Sequence, residues 1–177
     1  MQPAELKTIY LSGDTVYIRA YVDDDKESAA AWAGSPFPVG SVRGEKLLKD
    51  WHKEYWPRTR RYALCRTVDD LVIGRVTVGI RNLVGEFKVV IAPWVEDADE
   101  LRAAAFELIV PWLVDEWTMV SVTAHVDSDQ PLTRAVAERL GMSHQATMRE
   151  AYARPGGTRA DDLLFQKFGT MEATIDA

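Results

Sequence analysis

Leu101, Ala104, Ala105, Leu108, Ile109, Trp112 and Leu113 recur at i, i+3, i+4, i+7, i+8, i+11 and i+12. That spacing draws an apolar stripe along one side of an α-helix. The runs on either side alternate instead: Glu86 to Ile91 before it, and Val120 to Val126 after it, where Val120, Val122, Ala124 and Val126 interleave with Ser121, Thr123 and His125. A period of two is that of a strand with one buried face. Pro111 lies inside the helical stripe and removes one backbone donor, which predicts a kink or a break there.

The same reading extends over the chain. Thr15 to Tyr21 alternates as a strand, and Asp23-Asp24-Asp25 caps a short helix running through Trp32. Gly34 to Gly40, with two prolines and two glycines, is a loop. Leu47, Leu48, Trp51 and Tyr55 mark a second helix that stops before Pro57. Arg61 to Arg66, Leu71 to Ile80 and Glu86 to Ile91 form an antiparallel meander, with turns at Asp69-Asp70 and at Asn82 to Gly85. Ser128 or Asp129 caps a helix that has Pro131 in its first turn and Gly141 just past its end. Ser143 to Ala153 and Ala160 to Phe168 close the chain as strands, joined by Arg154 to Arg159. The order predicts an α/β (α+β) fold, a mixed, mostly antiparallel seven-stranded sheet with helices on both faces.

At 177 residues and 47% hydrophobic content, the chain suits one domain over 1–177, with a core at about 15–168 and a frayed acidic tail at 170–177. Its net charge of −6, with basic residues scattered apart from Arg58 to Arg61, argues against nucleic acid as a partner. No apolar run approaches membrane-spanning length, so no membrane partner and a cytoplasmic location are expected. The single cysteine, Cys65, sits in an alternating run and reads as a buried hydrophobe. Six tryptophans and free strand edges are compatible with a homodimer.

Val126-Asp-Ser-Asp-Gln-Pro-Leu-Thr-Arg-Ala-Val-Ala-Glu-Arg-Leu-Gly-Met142, followed by Met148-Arg-Glu150, resembles the GNAT superfamily of acyl-CoA-dependent N-acetyltransferases. The RimJ/RimL branch is the most similar, with Gln130 at its asparagine position, Thr133 at its serine and Met142 at its phenylalanine. The resemblance implies a sheet splayed between its fourth and fifth strands, Glu86–Ile91 and Val120–Val126, with acetyl-CoA or another acyl-CoA as co-substrate in the gap and no metal. It implies that Val89 and Ile91 pair with the pantetheine arm and that Gln130 and Thr133 support the cofactor. Glu86 would be the general base for a small-molecule or peptide amine acceptor, because an ammonium cannot attack a thioester until it loses a proton. Thr133 or Tyr152 would protonate the leaving thiolate. Gly34 to Gly40 and Arg154 to Arg159 would border the acceptor. His125 reads as a structural hydrogen-bonding residue, and His52 and His144 have no partner that the sequence identifies.

One stretch departs from that family. Where its members carry a glycine-rich turn for the CoA pyrophosphate, this chain reads Glu96-Asp-Ala-Asp-Glu-Leu101. Side chains at Asp97, Asp99 and Leu101 would obstruct the phosphates, and each acid about 5 Å from one would repel it by roughly 3 kcal/mol at an effective dielectric near 20. Asp97 and Glu100 have the spacing of a capping box, by which the helix would satisfy its own first donors. The spacing does not match a calcium loop. A GNAT fold that has lost acetyl-CoA binding and serves as a binding module is therefore the alternative to an acyltransferase.

Overall fold

The computed structural model describes residues 8–34, 39–52 and 59–169. One sheet runs through it, in the order β1 (Ile9–Ser12), β2 (Val16–Arg19), β3 (Thr59–Arg66), β4 (Val72–Arg81), β5 (Val84–Ile91), β6 (Ser121–Asp127), β8 (Arg159–Phe168), β7 (Ser143–Ala153). Every neighbouring pair is antiparallel except β5 with β6. Among the described residues there are eight strands, not seven. The added one is β1, which folds back on β2 through Gly13-Asp14 and is too short to show a period.

The faces of the sheet are covered unevenly. Phe87, Val89 and Ile91 of β5, with Val122, Ala124 and Val126 of β6, join the main core beneath α3 (Ala98–Pro111). Phe87 meets Phe106 edge-on at 4.8 Å, a contact that adds about 0.5 to 1.5 kcal/mol beyond the burial of the rings. On the opposite face a 3₁₀ turn (Asp23–Ser28), α1 (Ala29–Trp32) and α2 (Ser41–His52) close a second cluster around Trp32, Leu48 and Trp51. Cys65 is fully buried there, beside Tyr17 and Ala63. The short helix expected after Asp23 is thus a 3₁₀ turn running into one α-turn. Buried Asp25 shapes it by accepting from the Val22 N–H and, through both oxygens, from Arg19.

Pro111 is the last residue of α3, and a π-turn (Trp112–Glu116) follows at once. The missing donor lets the helix widen, so Trp117 N–H reaches Trp112 O and Met119 N–H reaches Leu113 O. α4 (Pro131–Arg139) lies against α3 on the same face. The turn expected over Asn82 to Gly85 is tighter than that, with Asn82 and Leu83 both left-handed, so β5 begins at Val84. The expected end of α2 before Pro57 and the frayed tail fall outside the described residues.

Candidate functional site

β5 and β6 pair only from Val84↔Ser121 to Phe87↔Ala124. Beyond that row the strands part, and the gap is a cleft of about 610 Å³. A bulge helps to open it. Ile73 is an extra residue of β4 opposite the Leu64/Cys65 step, and bulges bend a strand and increase its twist. Next to it, a side chain at Gly74 would strike Val90 O at 2.1 Å, so only glycine lets β4 follow the diverging end of β5. Val89 and Ile91 form one wall of the cleft, and Gln130 closes its far side.

At the apex the sheet assembles a line of ionisable groups. His125 Nδ1 lies 2.8 Å from Asp162 Oδ2, and its Nε2 lies 3.3 Å from Glu86 Oε1. Asp162 is 2% exposed, whereas Glu86 is 66% exposed, so the line runs from the interior to solvent. The Asp162 contact holds the imidazole with Nδ1 protonated, which aims Nε2 at Glu86. Across the cleft Lys88 Nζ donates to Tyr152 Oη at 2.8 Å. Burial raises the Tyr152 phenol above its usual range and the neighbouring Lys88 ammonium offsets part of that, so the hydroxyl keeps its proton at neutral pH. A second bulge brings Tyr152 here: three residues of β7, 149–151, lie opposite Asp161 alone.

Thr133 does not reach this cleft. It is fully buried, and its hydroxyl donates to Asp99 Oδ1 at 2.6 Å. Gln130 has both ends of its amide tied to Asp127, donating to its carboxylate at 2.9 Å and accepting from its N–H at 3.2 Å.

The acidic turn resolves into separate fates. Asp97 occupies the N-cap position of α3, but its side chain makes no capping bond, so the expected capping box is absent. Asp99 caps the neighbouring helix instead, its carboxylate accepting from Leu132 N–H at 2.8 Å and Thr133 N–H at 3.1 Å. α4 is therefore capped from α3, not by Ser128 or Asp129 as its own sequence suggests. Ser128 Oγ accepts from Asp161 N–H, and Asp129 accepts from Arg154. Leu101 is in the core, and Glu96, Asp97 and Glu100 face solvent. Of the four acids only Asp99 lines the cleft.

Three cations line it as well: Lys88, Arg102 and Arg154. Arg154 is neutralised by Asp127 at 2.5 Å and Asp129 at 2.8 Å. Arg102, one turn into α3, makes no ion pair with a described residue, and burial lowers its pKa. Among the described residues no group of three or more histidine, cysteine or acidic side chains is placed to hold a metal, and no helix is long and apolar enough to cross a membrane.

His125, Asp162, Lys88 and Arg102 were not singled out as site residues from the sequence. Their parity on alternating strands puts His125, Asp162 and Lys88 on one face, but only the order β5-β6-β8 makes them neighbours.

No protein-family profile and no curated protein matches the sequence. Among solved structures, a candidate acetyltransferase from Sphaerobacter thermophilus DSM 20745 is 39% identical, with a TM-score of 0.74 over 92% of this chain and 99% of that one. Variant forms of the spermidine/spermine N-acetyltransferase SpeG from Vibrio cholerae share the fold at 17% identity and a TM-score of 0.62, over 86% of this chain and 94% of theirs. SpeG in its dodecameric form matches at 16% identity and 0.60, over 92% and 98%. A sheet that parts beside the parallel pair β5 and β6, a polar apex in the gap, and a relative 39% identical over 92% of the chain agree with one another: the chain belongs to the GNAT superfamily of acetyltransferases.

Proposed function

We propose that the protein transfers an acyl group from acyl-CoA to a primary amine by direct attack, as a RimJ/RimL-like member of its superfamily, in the cytoplasm and from one domain spanning 1–177. The observation that carries this reading is the apex of the cleft, where Glu86, His125 and Asp162 stand in line and Tyr152 faces them. Glu86 takes the proton of the incoming ammonium and shares it with His125, which Asp162 holds in place. The freed amine forms the new C–N bond at the thioester carbonyl. The departing thiolate receives its proton from Tyr152, the cleft-lining hydroxyl of the two expected, since that of Thr133 is committed to Asp99.

The cleft fits an acyl-CoA arm in size and lining. Val89 and Ile91 offer an apolar wall, and Gln130 braces the turn that closes the site. The glycine turn for the pyrophosphate is degenerate, and Arg102 supplies the missing attraction as a partly buried cation that makes no ion pair among the described residues. The relatives from Vibrio cholerae act on spermidine by name, which supports an amine acceptor. β7, an edge strand with ten exposed residues out of eleven, suits pairing with a second copy of the chain.

Titration calorimetry with acetyl-CoA tests the reading. Binding at micromolar to millimolar concentration, together with amide formation that is lost in Glu86→Gln and Tyr152→Phe, is expected. No heat at millimolar acetyl-CoA would leave a binding module as the better description.

A further inference from the structure

Charged side chains from β5, β8 and the end of β7 face Tyr152. Lys88 reaches it from β5, its Nζ donating to the phenolic oxygen at 2.8 Å and lying 4.5 Å from the ring centroid. Asp162 acts on it from β8. That carboxylate is 2% exposed, with Oδ2 committed to His125 of β6 and Oδ1 sealed from solvent without a hydrogen-bond partner. Arg154, just past β7, lies 5.8 Å from the same ring, but Asp127 and Asp129 already neutralise it. Lys88 has no carboxylate paired with it among the described residues. It follows Glu86 by two residues on β5, so both side chains leave the same face of the strand.

A lysine ammonium has three donors and no acceptor. The Tyr152 oxygen therefore accepts from Lys88, and its own hydrogen is left for another partner. That direction suits an acid. Burial raises the phenol, Lys88 lowers it and Asp162 raises it again, so a phenolate formed here stands beside a buried carboxylate. Like charges that close disfavour ionisation. The Lys88 ammonium is the counter-charge that offsets it.

We propose that Lys88 is a positioning residue for departure of the thiolate: it fixes the Tyr152 oxygen, leaves the hydroxyl hydrogen free for the sulfur, and balances the charge that remains. The assignment rests on the acyl-transfer reading above. When the tetrahedral carbon collapses, the C–S bond breaks and its electron pair goes to sulfur. The Tyr152 O–H bond breaks with it, the proton joins sulfur, and the phenolate is left against the ammonium. The acceptor loses two protons as its ammonium becomes an amide. One restores Tyr152 by way of solvent, and the other remains in solution.

Ultraviolet titration of tyrosinate, wild type minus Tyr152→Phe, reads Tyr152 by itself in the protein without substrate. The same difference taken in the Lys88→Met background places Tyr152 at higher pH. Lys88→Gln, polar but uncharged, gives the same shift if Lys88→Met does not fold. With acetyl-CoA as donor and octylamine or spermidine as acceptor, Lys88→Met lowers kcat by roughly tenfold to a hundredfold, the range of one charge-assisted hydrogen bond. It moves the alkaline limb of kcat to higher pH and leaves KM for acetyl-CoA within about threefold. Lys88→Arg, which keeps a cation that only donates, recovers most of the rate. In Tyr152→Phe, Lys88→Met adds nothing further, because Lys88 acts through that hydroxyl. Losses that multiply in the double variant, or a Tyr152 titration unmoved by Lys88→Met, overturn the assignment and leave acyl transfer standing. A shifted titration with no transfer to either amine by the wild type counts against acyl transfer and not against the hold of Lys88 on Tyr152.

Discussion

Arg19 and Arg75 lie on the same face of the sheet, two strands apart, and their surroundings are opposite. Arg19 is 2% exposed and grips Asp25 through two bonds of 2.7 Å, with Trp32 Nε1 donating to the Asp25 carbonyl in the same knot. Arg75 has an indole and a distant carbonyl, and no carboxylate among the described residues; the Nε of both arginines is unpaired. The cleft repeats the contrast, with Arg154 held by two aspartates and Arg102 by none among the described residues. A buried cation neutralised from within is scaffold. One left without an anion among the described residues stands ready for a ligand's charge, as Arg102 does on the wall of the cleft.

Breaking the internal pairs should therefore damage stability, and removing the unpaired cation of the cleft should damage binding. The largest effect is expected from Asp25→Ala, which strands Arg19 in the interior and costs about 3 to 5 kcal/mol, read from the urea unfolding midpoint. Asp99→Ala removes a carboxylate from two backbone donors and a hydroxyl of α4. It should cost about 1 to 3 kcal/mol, with faster hydrogen exchange at Leu132 and Thr133. Arg102→Met should change the unfolding midpoint by less than about 1 kcal/mol while weakening acetyl-CoA binding about tenfold, the two read by denaturation and calorimetry. A loss of stability as large as that in Asp25→Ala would place Arg102 with the scaffold and end the contrast.

Asp129→Asn is the smallest test. Arg154 holds the Asp129 carboxyl below its ordinary range, so the pair contributes fully above the unfolded carboxylate value near 3.9 and is lost as pH falls through the lower folded value. The advantage of the wild type over Asp129→Asn should be present at pH 7, remain below about 1 kcal/mol because the site is half exposed, and vanish in acid. A thermal melt at each pH checks it.

Much of this architecture was legible before any coordinates. Strands such as Ser121–Asp127 and the α3 stripe declare themselves because one face is buried and the other is not, a pattern written at short range. Glu86, Val89, Ile91, Gln130 and Tyr152 were placed by their family positions, and all but Glu86 line the cleft, with Glu86 at its apex. What escaped depends on distance along the chain. His125 reads as an isolated residue until β8 pairs with β6 and brings Asp162 to it from 37 positions away. Asp99 and Thr133 are 34 positions apart, and the local rule that assigned Asp97 and Glu100 to a capping box had no means of weighing a neighbouring helix. Arg75 and Arg102 look like ordinary surface charges, because what distinguishes them is the absence of a carboxylate partner among the described residues.

The Asp99 cap also bears on how this chain could change. The glycine-rich turn from which this stretch departs has no side chain with which to cap a neighbouring helix. Here Asp99 holds down the first turn of a second helix. A single mutation back to glycine would remove that anchor before the rest of the phosphate turn existed. Recovery of the common turn needs a replacement cap for α4 first, such as an acid or a serine at position 130, and until that arises the acidic version is entrenched.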